Sequence, residues 1–250
     1  MIQVPIQEIF SSIQGEGPWI GERHIFVRFL GCNIHCRYCD TLAASCDPDS
    51  AAWKFCAVQL LPGSKGFEQI PNPLTGPDLI KFCSRLVIRG PSHPTISLTG
   101  GEPLLHRDFL LEWLPQVHGA FKIYLETNGI IASAMQRLYD LIDVVSMDFK
   151  LPSATGLRPF WDEHKKFLSA AQGKSLFIKT VVTRFTTVDD IKVSASIIAG
   201  FDKTIPLIIQ PAGGSFAPEA KTLMKFQDSA LGIIANARVI PQAHKILNVS

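Results

Sequence analysis

Short β-branched runs alternate with longer helix-patterned segments along the whole chain, and that rhythm leaves few folds open. Strands are predicted at Ile25–Leu30, Thr95–Leu98, Lys122–Leu125, Val144–Phe149, Leu176–Val182, Leu207–Gln210 and Arg238–Ile240. Helical patterns occupy Asp78–Ile88, Asp108–Val117, Ser133–Leu141, Phe160–Ala171, Val188–Ala199 and Glu219–Ala235. Pro77-Asp78, Thr187 ahead of Asp189-Asp190, and Pro218-Glu219 are start signals, and Gly90, Gly119 and Gly200 are stops. Strands separated by helices predict an α/β fold with a parallel sheet and right-handed crossovers. Six or seven βα units are too few for a closed eight-fold barrel, so an open, partial parallel β/α barrel is expected. A length of 250 residues suits one core domain over 1–250. One stretch breaks the rhythm. Leu42–Gly76, with Pro48, Pro62, Pro71 and Pro73, is expected as an excursion on the scaffold and not as a linker between domains.

Composition narrows the function classes. At 46% hydrophobic residues with a net charge of +2, the chain is not of the disordered kind. That near-balance gives no electrostatic reason to expect nucleic acid or an anionic membrane as partner. No apolar run approaches the ~20 residues of a membrane helix, and the N-terminal segment lacks the pattern of a secretion signal. A cytoplasmic location is the resulting expectation. In that compartment thiols stay reduced, so the six cysteines are expected as ligands or core residues before disulfides. The charged fraction of 18% lies below the roughly 25% of typical globular chains and leaves room for surface covered by a second subunit.

Several polar clusters fall at the C-terminal ends of predicted strands: Gly31-Cys32, Thr99-Gly100-Gly101-Glu102-Pro103, Glu126-Thr127-Asn128-Gly129, Asp148-Phe149-Lys150 and Gln210-Pro211. In a parallel α/β barrel that rim is where sites are built. The first cluster opens a C-x3-C-x2-C run, Cys32, Cys36 and Cys39. Three thiolates so close in sequence suit one soft metal centre. A cubane cluster held by three of them keeps one iron open, whereas zinc with Cys46 as fourth ligand is the alternative on spacing alone. Cys46, Cys56 and Cys83 are expected as small core or loop residues.

The cysteine run with Tyr38 before its last member, followed by Gly-Gly-Glu-Pro at 100–103, resembles the radical S-adenosylmethionine (SAM) enzymes. That resemblance implies a [4Fe-4S] cluster on Cys32, Cys36 and Cys39, SAM on the open iron, and Gly-Gly-Glu-Pro at the SAM ammonium. The segment Glu8 to Gly17, then Arg28, Asp40-Thr41 and the C-terminal Ile240 to Ser250 are similar to the 7-carboxy-7-deazaguanine synthases. In that family, 6-carboxy-5,6,7,8-tetrahydropterin is contracted to 7-carboxy-7-deazaguanine with Mg2+ assistance and loss of ammonia, in queuosine and deazapurine biosynthesis. The resemblance implies Ile13, Gln14, Gly15, Glu16, Arg28, Thr99, His244 and Ser250 at the substrate. It implies Tyr38, Cys39, Asp40, Gly101, Ser146, Asp148, Lys150 and Gln210 at SAM, and Thr41 at Mg2+. It further implies a homodimer and a one-electron donor of the flavodoxin or ferredoxin type. An activase of glycyl radical enzymes shares the cysteine spacing and is the alternative, but it leaves Gln14, Glu16 and Arg28 without a task.

Each of these positions also has a plain structural reading. Arg28 can be an exposed strand arginine, Thr41 a cap, Glu126 to Gly129 a turn, Lys150 a surface lysine and His244 a core histidine. Three places depart from the family pattern, one of them the Leu42–Gly76 excursion. Met147-Asp148-Phe149 replaces a compact Ser-Pro-Lys, and Pro211 to Ser215 lacks an acidic residue, which leaves Ala212 and Gly213 weak as contacts.

Overall fold

The computed structural model describes residues 1–39, 53–88 and 94–249. In chain order its strands are β1 Gln3–Val4, β2 Ile6–Ile13, β3 Arg23–Phe29, β4 Phe55–Gln59, β5 Phe67–Pro71, β6 Leu74–Thr75, β7 Thr95–Gly100, β8 Lys122–Thr127, β9 Val144–Asp148, β10 Ser175–Val182, β11 Leu207–Pro211 and β12 Ala237–Val239. Its helices are α1 Gly76–Arg85, α2 Arg107–Val117, α3 Ala132–Leu138, α4 Pro152–Thr155, α5 Trp161–Ala170, α6 Val188–Phe201, α7 Ala220–Leu231 and α8 Ala243–Leu247.

The main sheet runs β12-β11-β10-β9-β8-β7-β3-β2-β4-β5. Every pairing from β3 to β12 is parallel, which is the expected run of βα units. Strand alternation divides the residues of this parallel run between two faces. One face (Val27, Phe29, Leu98, Leu125, Val145, Met147, Ile178 and Ile209) belongs to the main hydrophobic core with the helices. On the other face, Tyr124, Val144, Phe177 and Ile208 form a second, small apolar cluster against Trp19. Two residues further along each strand come Glu126, Ser146, Lys179 and Gln210. The inner face is therefore an apolar plug with a polar layer above it.

The N-terminal run Glu8 to Ile13, expected to carry ligands but not assigned to any element, belongs to β2, which pairs antiparallel with β3. Strands β4 and β5 also went unpredicted. They lie within the proline-rich stretch and extend the sheet beyond β2. Prolines hide them from a pattern reading: Pro71 ends β5 at the outermost strand, where a missing N–H is tolerated.

The caps follow the sequence closely. Thr75 and Asp78 form a capping box on α1, and the Thr187 side chain accepts from the Asp190 N–H at the start of α6. Gly119, with φ of 95°, follows the end of α2 as expected. Gly200 does not stop its helix, because α6 continues to Phe201. Gly90 lies outside the described residues.

Candidate active site

A cavity of about 720 Å3 lies over the polar layer and is walled by the strand ends and the loops that follow them. Its size is in the roughly 300–1,000 Å3 range of small-molecule sites. Strand registry builds the wall. Glu8 pairs with Arg28, Arg28 with Thr99, Glu126 with Ser146, Asp148 with Lys179, and Val181 with Gln210. Side chains in register at one level of one face must converge when the sheet curls.

The cysteine loop leaves β3 through Gly31, whose φ of 85° turns the chain. Cys32, Cys36 and Cys39 all reach the cavity wall and are free thiols. The Cys39 N–H closes a turn on the Cys36 carbonyl at 3.0 Å. Arg37 points outward and anchors the loop to α4: its backbone N–H donates to Thr155 O at 3.1 Å, and its Nε to Ala154 O at 2.9 Å. Its guanidinium also donates to Ser153 O and stacks 4.3 Å from the Phe185 ring centroid. Burial pushes the Cys32 and Cys36 thiols up, and binding to a metal favours the thiolate form. Among the described residues, no three His, Cys, Asp or Glu side chains converge as a single metal ion requires. Cys46, the fourth ligand of the zinc alternative, lies outside the described residues. Cys56 and Cys83 are fully buried in the core.

Behind this loop the Gly-Gly-Glu-Pro segment departs from expectation in one respect. Gly100 has φ of 113°, and a Cβ there would lie 2.6 Å from Phe29 N, so β7 can pass this close to β3 only with glycine. The turn presents Gly101 to the cavity and sends Glu102 beneath it. The Glu102 carboxylate, expected beside a ligand ammonium, instead accepts from Asn128 N–H at 2.8 Å, Thr127 Oγ1 at 2.9 Å and Leu104 N–H at 3.1 Å. Burial pushes its pKa up to about 7 despite these donors. It fastens the end of β7 to the end of β8.

The residues expected at SAM lie together. Ser146 and Asp148 share the inner face while Met147 and Phe149 enter the core, which settles the register of the unusual Met-Asp-Phe stretch. Lys150 Nζ donates to Asp148 Oδ2 at 2.8 Å and sits 5.7 Å from the Tyr38 ring centroid. Gly101, Tyr38 and Gln210 line the same space. Asp148 Oδ1 and Gln210 Oε1 are buried acceptors without a donor among the described residues, which suits a ligand rich in N–H and O–H groups such as SAM.

Across the cavity stand Ile13, Gln14, Gly15, Glu16, Arg28, Thr99 and His244. Arg28 Nε donates to Glu8 Oε1 at 2.7 Å, with the guanidinium carbon 5.7 Å from the Phe10 ring centroid. Gly15 meets the C-terminal segment. Its carbonyl accepts from Ala243 N–H at 2.9 Å, and a Cβ there would lie 2.6 Å from His244 N. Asp40, Thr41 and Ser250 lie outside the described residues.

Glu8, Glu126, Lys179 and Gln242 also line the cavity, though none was singled out as a ligand from sequence. Gln14 Nε2 and Thr99 Oγ1 donate to the two Glu126 oxygens at 3.1 and 2.7 Å. Glu16 ion-pairs with Lys179 and accepts from Gln210 Nε2 at 3.0 Å and Gln242 Nε2 at 2.8 Å. The signal that could have found Glu126 and Lys179 is a charged residue two places after an inward aromatic, Tyr124 and Phe177, on an otherwise apolar strand.

Comparison with known proteins gives the chain its family. The family model for the radical SAM superfamily matches residues 26–183. The 7-carboxy-7-deazaguanine synthase of Geobacter sulfurreducens is 38% identical over 97% of this chain and 96% of its own. That of Methanothermobacter thermautotrophicus is 33% identical over 100% and 99%. A crystal structure of QueE from Escherichia coli superposes with a TM-score of 0.62 at 21% identity, over 97% of this chain and 95% of that one, and bears on the fold alone. The family model and the full-length relatives of one activity show that the chain belongs to the 7-carboxy-7-deazaguanine synthases of the radical SAM superfamily.

Proposed function

We propose that this chain contracts 6-carboxy-5,6,7,8-tetrahydropterin to 7-carboxy-7-deazaguanine with loss of ammonia. Cys32, Cys36 and Cys39 would hold a [4Fe-4S] cluster, which, when bound together with SAM, would supply the one-electron chemistry that starts the reaction at C6 of the pterin. The protein's own part is to hold two ligands in contact and keep water away. Lys150, Asp148, Ser146 and Gln210 receive SAM, with the unpaired Asp148 and Gln210 acceptors taking its donors.

The observation that carries the substrate reading is a two-pronged cation and a two-pronged anion in one cavity. Glu8 engages the Nε of Arg28, and the terminal nitrogens, which have no partner among the described residues, are placed to clamp the pterin carboxylate. Glu126 accepts from the neutral donors Gln14 and Thr99, one on each oxygen, and among the described residues it makes no ion pair. Such a carboxylate matches the paired N–H groups of an aminopyrimidinone ring. Thr41 is proposed as the protein ligand of Mg2+, and Ser250 and His244 as further substrate contacts. A homodimer and a flavodoxin- or ferredoxin-type electron donor complete the proposal. Among the described residues, no helix is long and apolar enough to cross a membrane.

The test is anaerobic turnover of reconstituted protein with reductant, SAM and the carboxytetrahydropterin, read as 7-carboxy-7-deazaguanine formed. Cleavage of SAM without that product overturns the substrate. In the same assay Arg28→Ala is expected to lose pterin turnover by at least about 10²-fold while SAM binding is largely kept.

A further inference from the structure

We propose that Lys179 is a positioning residue for this reaction: from the middle of β10 it ties Glu16, on the pterin side of the cavity, to Asp148, on the SAM side, and so sets the distance between the two ligands. The inference rests on the substrate reading above. Lys179 Nζ ion-pairs with Glu16 Oε2 and lies 3.8 Å from Asp148 Oδ2, the same oxygen that takes Lys150 Nζ. Asp148 and Lys179 are register partners on neighbouring strands, so this bridge follows from sheet pairing and not from a chance rotamer.

Glu16 completes the link. Its Oε1 accepts from Gln210 on β11 and from Gln242 just before α8, while Lys179 occupies Oε2. Both carboxylate oxygens are thus committed to protein donors from separate elements, and Glu16 acts as a fastener behind Gln14 and Gly15 more than as a free ligand. Its backbone N–H returns to Gln14 Oε1 at 3.1 Å, and Gln14 Nε2 is the group that orients Glu126. A chain of contacts therefore runs from the SAM-side Asp148 through Lys179, Glu16 and Gln14 to the carboxylate that reads the pterin. Burial disfavours the Glu16 charge, yet the Lys179 charge and the donors from Lys179 and Gln242 more than offset it, leaving its pKa lowered. Burial likewise disfavours the Lys179 ammonium, and Glu16 and Asp148 hold it protonated well above its ordinary range, so it is a poor proton donor and its task is placement.

Placement matters because hydrogen-atom transfer needs the radical carbon and the pterin C6 in contact. A shift of about 1 Å can cost on the order of 10²-fold. The test uses cluster-loaded Lys179→Met and Lys179→Arg proteins, with iron and sulfide content and melting temperature as controls. In Lys179→Met, 7-carboxy-7-deazaguanine per SAM cleaved is expected to fall at least about tenfold and kcat/KM for the pterin by on the order of 10²-fold. SAM affinity of the unreduced holoenzyme, measured by calorimetry, is expected to change less than about threefold while pterin affinity weakens about tenfold or more. Lys179→Arg, whose fork still reaches both carboxylates, is expected to recover most of the coupling. A merely structural lysine would leave the ratio of product to SAM cleaved unmoved in whatever fraction folds. Wild-type coupling and pterin affinity in Lys179→Met overturn the proposal. If that variant does not load its cluster, the neutral pair Glu16→Gln with Lys179→Met takes its place, and wild-type coupling there overturns the proposal equally. A wild-type enzyme that cleaves SAM but makes no deazaguanine sinks the substrate reading instead, before any variant is compared.

Discussion

Two carboxylates beside this cavity titrate in opposite directions, and their surroundings explain why. Glu16 has a cation in contact and is lowered to about 2, whereas Glu102 has only neutral donors and rises to about 7. The consequences for stability differ in sign. Glu16 contributes stability that is present above its ordinary 4.5 and lost as pH falls through about 2. For Glu102 the native state binds more protons between 4.5 and about 7. Its contribution is therefore fully present below 4.5 and lost as pH rises through about 7. Glu102→Gln is expected to flatten the decline in stability between about pH 5 and 8 in denaturant titrations. It also lowers stability by about 1–3 kcal/mol, because an amide N–H2 then faces the Asn128 N–H. An unchanged pH slope in the variant would show that another group sets it. Both carboxylates are plain glutamates in the sequence, and nothing short of their surroundings separates them.

At the scale of elements, the site depends on how loops are tied to the ends of strands. Arg37 makes the cysteine loop a fixed shelf through its bonds to Ser153, Ala154 and Thr155 of α4, next to Gly156, whose φ is 77°. Removing that side chain in Arg37→Ala forfeits its bonds to Ser153 and Ala154, at roughly 0.5–1.5 kcal/mol each. Faster loss of iron to a chelator, with a melting temperature of the cluster-free protein lowered by only a few degrees, is the expected result, read by timed iron analysis. The C-terminal segment is tied down differently, by close approach. In Gly15→Ala the new methyl would collide with His244, whose backbone is part of α8. The expected outcome is displacement of α8 from the cavity rim, seen as a pterin KM raised about tenfold or more at unchanged iron content. Steady-state kinetics beside metal analysis would expose a wrong reading if KM stays put. Neither anchor was legible in the cysteine spacing or the C-terminal motif, because both are contacts across long stretches of chain.

For the molecule as a whole, stability is expected to be graded across the sheet. Strands β7 to β10 have a neighbour on each side and helices over their core face, whereas β5 is an edge and β12 pairs on one side only. Hydrogen exchange should be slowest in β7–β10 and fastest in β4, β5 and the small β1–β6 pair. Equal protection across the sheet would contradict that ranking. The same architecture marks where sequence reasoning reaches its end. Repeating β and α patterns, capping residues such as Thr75 and Thr187, and the three cysteines after β3 are local signals, and each implies its structure within a few residues. They determine a parallel α/β scaffold with a soft-metal loop at its rim. Strands β2, β4 and β5 lack a clean local pattern and are defined by pairing with residues far away in sequence. The cavity's charge layout is of the same kind: Glu126 between Gln14 and Thr99, and Lys179 between Glu16 and Asp148. Backbone propensity acts over one turn or one strand, so the sequence by itself determined the elements and the cysteine loop. Pairing register and sheet curvature act across the chain, and only they decided which charged side chains share the low-dielectric space where their chemistry is set.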